Sequence, residues 1–177
     1  MRVAILGVGT VGSEVVNVLC ENKAIIKARA GVEISPVIGV VRDKTKARNL
    51  GAEFEISDDL DSVVKRDDID VFVELMGGVQ KPYEIVKSLL LRKKAIVTAN
   101  KALLAYHRYE LQNLCRDASF GYEASVAGGI PIIRALRDGL SANKIEKIVG
   151  ILNGTSNYIL TNMMKNDIKF QDALKQA

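Results

Sequence analysis

Apolar and polar positions along the chain follow two regimes. Short runs rich in β-branched residues occur at Val3 to Leu6, Val37 to Val41, Ile69 to Glu74, Ala95 to Thr98, Phe120 to Glu123 and Ile145 to Leu152. Between most of them lie longer segments whose apolar residues return every three or four positions. The first regime predicts strands and the second predicts helices that cover them. Three helical stripes stand out: Val11, Val15, Val18 and Leu19; Ile85, Val86, Leu89 and Leu90; and Leu103, His107, Leu111 and Leu114. Strands alternating with helices in this way predict an α/β fold with a doubly wound parallel sheet.

The pattern shifts at Ala127-Gly128-Gly129-Ile130-Pro131. Glycine punctuates the end of a strand there, and Pro131 suits the first turn of a helix running to about Arg137. A first domain is therefore expected over residues 1–129 and a second from 130 onward. In the second, a strand leads to a polar loop, Asn153-Gly154-Thr155-Ser156-Asn157, and then to a helix carrying Ile159, Leu160, Met163 and Met164. Another helix is expected to begin at Phe170, with no cap before Ala177. Residues 130–177 are too few for an independent core, so they read as the incomplete beginning of a larger domain. No internal repeat or low-complexity segment points to a solenoid.

Composition narrows the classes further. The chain has 177 residues, 48% of them hydrophobic and 26% charged, which suits one full globular core and excludes a disordered or collagenous chain. With 25 basic against 21 acidic residues, the net charge of +4 does not argue for a nucleic-acid partner. Cys20 and Cys115 lie far apart in helical patterns and read as buried thiols in a reducing compartment. The amino-terminal apolar run is too short for a signal peptide and no run reaches membrane-spanning length, so a cytoplasmic location is expected. The single histidine rules out a histidine-rich metal site and leaves any serine triad dependent on His107, which on its apolar stripe reads as a packed residue.

Candidate chemistry starts at Gly7-Val8-Gly9-Thr10-Val11-Gly12, directly after the first strand and opening the first helix. That context is what the Rossmann dinucleotide fingerprint requires. Gly7 allows a sharp turn, Gly9 lets the backbone approach a pyrophosphate, and Gly12 lets the helix pack closely against the sheet. The helix N-terminus adds unpaired N–H groups and a partial positive charge. The ribose-binding acid expected about twenty residues on is not Glu33, which would sit at the wrong end of the second strand. That strand runs out into Arg42-Asp43-Lys44-Thr45-Lys46. Arg42 can fork onto a 2′-phosphate, with Lys44 and Lys46 adding charge, which favours NADP. Asp43, able to accept from ribose hydroxyls, keeps NAD open.

Ligands of open parallel sheets sit beyond the carboxyl ends of the strands. Those ends here are Glu74-Leu75-Met76-Gly77-Gly78, Thr98-Ala99-Asn100-Lys101 and Glu123-Ala124-Ser125-Val126-Ala127-Gly128-Gly129. Lys101 there can polarise a carbonyl or pair with an anion, or be an ordinary exposed lysine at a helix start.

Four ordered segments resemble the homoserine dehydrogenase family: Gly7 to Gly12, Val97 to Lys101, Tyr122 to Pro131, and Gly150 to Ile159. The resemblance implies a Rossmann domain followed by the start of a substrate and dimerisation domain. It also implies NAD(P)-dependent interconversion of L-homoserine and L-aspartate 4-semialdehyde, on the route to threonine, methionine and isoleucine. By the same resemblance, Thr10 and Val11 are cofactor contacts, and Lys101 stands near nicotinamide and substrate. Glu123, with the backbone oxygens of Val126, Gly128 and Ile130, matches a monovalent-cation site assigned to sodium, whose hard oxygen donors suit such an ion. Gly154 and Thr155 match residues of the amino-acid pocket. Family members continue with further acids, a second lysine and a homodimer interface, so this chain is expected to bind cofactor while being catalytically incomplete. A nucleotide-sensing regulatory domain is the alternative, though it has no need of Asn100-Lys101 or the Asn153 to Asn157 segment. Aspartate-semialdehyde dehydrogenase would need a nucleophilic cysteine, and Cys115 on an apolar stripe is a poor one.

Overall fold

The computed structural model describes all residues except 46–49, 51–53, 116–117 and 152. Within Met1–Arg134, one of two compact units, the elements are β1 (Arg2–Leu6), α1 (Thr10–Glu21), α2 (Lys23–Ala30), β2 (Ser35–Val40), β3 (Glu55–Ser57), α3 (Leu60–Lys65), β4 (Val71–Glu74), α4 (Gln80–Leu91), β5 (Ala95–Thr98), α5 (Lys101–Leu114) and β6 (Phe120–Gly121). A 3-10 turn at Glu123–Ser125 and the short α6 (Ile132–Arg134) complete the unit. The strands form one parallel sheet in the order β3-β2-β1-β4-β5-β6. The chain builds outward from β1 in one direction, then crosses back to add β4 on its other side. This reversal opens a crevice at the carboxyl edge between β1 and β4.

Alternation along β1 divides the core. Ala4 and Leu6 face one layer with Phe72, Val86, Leu89, Ile96 and Leu103, while Val3 and Ile5 face a second with Val8, Val16, Leu50 and Phe54. The expected stripes on α4 and α5 are the inward ones, with Val86, Leu89, Leu103 and Leu111 fully buried. On α1 the stripe is displaced: Gly12 and Val16 are buried, whereas Val11 is 60% and Val18 41% exposed. The close approach permitted by Gly12 turns that face inward and leaves the neighbouring apolar stripe outside.

Besides shifts of one or two residues at the ends of β2 and β4, the sheet departs from expectation at two places. β3 has three residues and was not anticipated, being too short to show alternation. The run from Phe120 leaves the sheet after Gly121, and Glu123 opens the 3-10 turn instead.

The second unit, Ala135–Ala177, holds a π-helical turn at Ala135–Gly139, then α7 (Gly154–Asn166) and α8 (Phe170–Gln176). The helix expected from Pro131 to Arg137 is thus α6 followed by this wider turn. Ile159 of α7 and Ala173 of α8 are its buried apolar residues among those described. The expected strand Ile145 to Leu152 is absent from the described residues, and Ile148, Val149 and Ile151 are exposed. A strand needs a neighbour for its backbone groups, and no second strand is described in this unit. The expected polar loop is also corrected: Asn153 caps α7 by accepting from the Ser156 N–H at 2.8 Å, so Gly154 to Asn157 form the first helical turn.

Candidate functional site

Gly7 leaves β1 with φ of 106°, a left-handed conformation that glycine supplies without strain. Its N–H and that of Val8 donate to the Val40 carbonyl at 3.1 and 3.0 Å, tying the turn to the end of β2. A Cβ on Gly7 would fall 2.7 Å from the Leu75 carbonyl oxygen. A Cβ on Gly12 would collide with the Gly7 carbonyl oxygen and lie 3.3 Å from Ile5 Cγ2. The tightest demand on Gly12 therefore comes from the turn itself, with the strand second. Gly9 differs from both, since a Cβ there would meet nothing within 4 Å. It is the N-cap of α1, no side chain caps that terminus, and the first turn holds no acidic residue. Thr10 and Val11 are exposed beside it. Backbone N–H groups and the helix dipole are thus presented to open space, which fits a phosphate.

That space is a cleft of about 440 Å³, within the range of small-ligand sites. One wall is Gly7, Val8 and Gly9, a second is Arg42 and Asp43 beyond β2 with Asp58 beyond β3, and a third is Met76 and Gly77 beyond β4 with Lys81 of α4. Sequence reasoning missed Asp58 and Lys81. Asp58 follows the unanticipated β3, and Lys81 occupies an ordinary exposed helical position.

The cations at and beside the second wall are not equivalent. Lys44 pairs with Asp58 at 2.6 Å, and its ammonium holds the Asp58 carboxyl below the usual range. Asp43 accepts from the Thr45 N–H at 2.9 Å and from its hydroxyl at 2.6 Å, closing a local turn. Arg42 is exposed and has no ion pair among the described residues, so its guanidinium is available to a ligand. Lys46 lies outside the described residues. Glu33 stands at the opposite sheet edge before β2, bound to Lys23 at 2.8 Å and Lys27 at 3.3 Å, which hold its carboxyl down at about 2. It has no route to the cleft.

Lys101 is the exposed first residue of α5, placed by Asn100, whose side chain accepts from the Leu103 N–H at 3.0 Å. It stands at the carboxyl edge of β5, outside the walls of the 440 Å³ cleft. Glu123 accepts the N–H groups of Ile133 at 2.9 Å and Arg134 at 2.8 Å, capping α6 with both carboxylate oxygens. Between them the loop carries Ala127 and Gly128 with φ of 57° and 59°. The Ile130 carbonyl accepts from Ile132 at 2.8 Å. Each carboxylate or carbonyl oxygen keeps a second lone pair, so the donor chemistry fits a hard monovalent cation. Gly154 and Thr155 are exposed on the first turn of α7, in the second unit.

The remaining candidates take structural roles. His107 is partly buried and stacks on Tyr83, ring centroids 3.9 Å apart. Cys115 ends α5 instead of lying within it, its thiol donates to the Leu111 carbonyl at 3.0 Å, and burial raises its pKa, which keeps it inert. Cys20 was expected to be buried and is exposed in the last turn of α1, one turn beyond the buried Val16.

The strand order, the glycine turn and the uncapped helix at the switch point define a Rossmann-like domain of the dinucleotide-binding class. Residues 7–122 match the family model described as the NAD binding domain of homoserine dehydrogenase, and residues 131–177 match the model described as homoserine dehydrogenase. The chain belongs to the homoserine dehydrogenase family. It is 56% identical to the homoserine dehydrogenase of Helicobacter pylori, over 100% of this chain and 42% of that one. The crystal structure of a Thiobacillus denitrificans homoserine dehydrogenase superposes with a TM-score of 0.92 at 42% identity, again over 100% of this chain and 42% of the other. A hyperthermophilic archaeal homoserine dehydrogenase in complex with NADPH has a TM-score of 0.80 at 26% identity, covering 99% of this chain and 60% of that one. The chain thus spans about 42% of the length of its bacterial relative. The match over residues 131–177 weighs against the nucleotide-sensing alternative. No described helix is long and apolar enough to cross a membrane.

Proposed function

We propose that this chain is the cofactor-binding part of an enzyme that interconverts L-homoserine and L-aspartate 4-semialdehyde, with NADP preferred over NAD. The observation that carries this reading is the pairing of an open Gly9 at the α1 N-terminus with an exposed Arg42, which has no ion pair among the described residues, on the facing wall of one cleft. The turn amides hold the pyrophosphate, and Arg42 forks onto the 2′-phosphate that distinguishes NADP. The bound dinucleotide supplies the hydride. Lys101 places an ammonium at the substrate oxygen, where negative charge develops when the aldehyde is reduced. Gly154 and Thr155 contact the amino-acid part of the substrate. Glu123 and the Val126, Gly128 and Ile130 carbonyls hold sodium, which braces the loop after β6. The active assembly is a homodimer.

The test is L-homoserine-dependent reduction of NADP by the protein carrying these residues, followed by absorbance of the reduced cofactor. Turnover is expected in a parent protein of the relatives' full length and lost in its Lys101→Ala variant with dinucleotide affinity retained, while the 177-residue chain by itself is expected to bind the dinucleotide without turnover. No homoserine-dependent reduction in the parent would contradict the reading.

A further inference from the structure

Among the described residues, four polar side chains are buried: Glu74 and Thr98 at 0% exposure, Ser125 at 3% and Asn100 at 7%. They come from three segments of the sequence and meet in one connected network at the carboxyl edge of β4 and β5. The Thr98 hydroxyl donates to Glu74 Oε2 at 2.6 Å and accepts the Asn100 N–H at 3.0 Å. Glu74 Oε1 accepts the Met76 N–H at 2.8 Å, and the Asn100 amide donates to the Gly78 carbonyl at 2.8 Å. Ser125 Oγ donates to the Thr98 carbonyl at 2.8 Å. No buried side-chain polar atom among the described residues lacks a partner.

Burying a carboxylate and three polar side chains is a poor way to gain stability, because apolar residues of similar size would avoid the desolvation cost. A fully satisfied polar network instead fixes geometry. The geometry here is that of the cleft. The network grips the turn after β4 at both ends, through Met76 and Gly78, and Met76 and Gly77 line the third wall. Gly77 and Gly78 have φ of 73° and 79°, a flexible pair that would otherwise wander. The same Asn100 caps α5 and so sets Lys101. In a doubly wound sheet the β1–β3 half takes the adenosine end of a dinucleotide and the half from β4 onward takes the nicotinamide end.

We infer that Glu74, through Thr98 and Asn100, is a positioning residue that shapes the nicotinamide half of the cleft and aligns Lys101 with it. This rests on the dinucleotide reading and adds a role for residues that touch no ligand. The test is calorimetric titration of the parent chain and of Glu74→Gln, Thr98→Val, Thr98→Ser and Asn100→Ser with NADPH and with 2′,5′-ADP, which represents the adenosine end alone. Glu74→Gln and Thr98→Val should weaken NADPH about fivefold, the factor expected from one lost hydrogen bond, with 2′,5′-ADP changed less than about twofold. Thr98→Ser restores the hydroxyl and should bind both ligands like the parent. Asn100→Ser keeps a helix cap but cannot reach Gly78, so it should repeat the selective loss even where Glu74→Gln or Thr98→Val fails to fold. Equal losses for both ligands, or no loss in folded variants, would overturn the positioning role alone. Failure of the parent to bind either ligand would overturn it together with the cofactor reading.

Discussion

The carbonyl oxygen of Gly7 occupies the place where a side chain on Gly12 would begin, so the turn and the first helix are interlocked through two glycines five residues apart. Gly9 between them faces open space. Gly9 and Gly12 should therefore separate by experiment. Gly12→Ala should cost about 1–3 kcal/mol of stability through overpacking and lower Tm. Gly9→Ala should leave Tm unchanged and weaken NADPH binding at least about tenfold, because its methyl group stands only in the way of a ligand. A Gly9→Ala variant of parental affinity would remove the pyrophosphate from this turn.

Arg42→Ala should lower affinity for NADPH more than for NADH, since a forked guanidinium contact exists only when a 2′-phosphate is present. Titration of the variant with each cofactor decides it. Equal losses would assign Arg42 to the solvated loop, with Asp43 left as the ribose partner.

Local signals made much of this legible in the sequence, and the exceptions share a cause. The strand, glycine turn and helix over residues 2–21 form as expected because their signals are local to one junction, whereas the partners that hold the turn, Val40 and Leu75, are distant in sequence. The continuous apolar run of β1, buried on both faces, and the stripes on α4 and α5, each buried on one, are likewise local signals. On α1, two adjacent apolar stripes compete, and periodicity cannot tell which one Gly12 turns inward. β3 pairs only at Ile38 to Val40, and three residues show no pattern. The run from Ile145 has strand propensity but no described neighbour, and pairing is a tertiary fact. Asn153 carries both a turn and a helix-cap signal, and the cap prevails. The Glu74 network was invisible because Glu74 and Ser125 reach Thr98 only when β4, β5 and the segment after β6 come together.

Glu33 supplies a pH test away from the cleft. Its folded pKa lies at about 2, held there by hydrogen bonds from Lys23 and then Lys27. A depressed folded value means that its contribution to stability is complete above the ordinary glutamate value of about 4.3 and disappears as pH falls toward 2. Carbon-13 NMR of the Glu33 carboxyl should give a midpoint near 2 in the parent, rising toward the ordinary value in Lys23→Ala. A parental midpoint near the ordinary value would show that these ion pairs do not persist in solution.

Sodium at Glu123 should raise Tm when it replaces a large organic cation at constant ionic strength, and Glu123→Gln should abolish that dependence. The variant should also lose about 1 kcal/mol of stability in any salt, because Glu123 caps the Ile133 and Arg134 amides. The same Tm in both salts for the parent would leave Glu123 as the α6 cap alone.

The dinucleotide cleft itself is tested most directly by calorimetric titration of this 177-residue chain with NADPH. Saturable binding at one site per chain, competed by 2′,5′-ADP and weaker for NADH, is the expected result. Heats no larger than those of dilution, from protein whose circular dichroism shows the folded α/β domain, would contradict it.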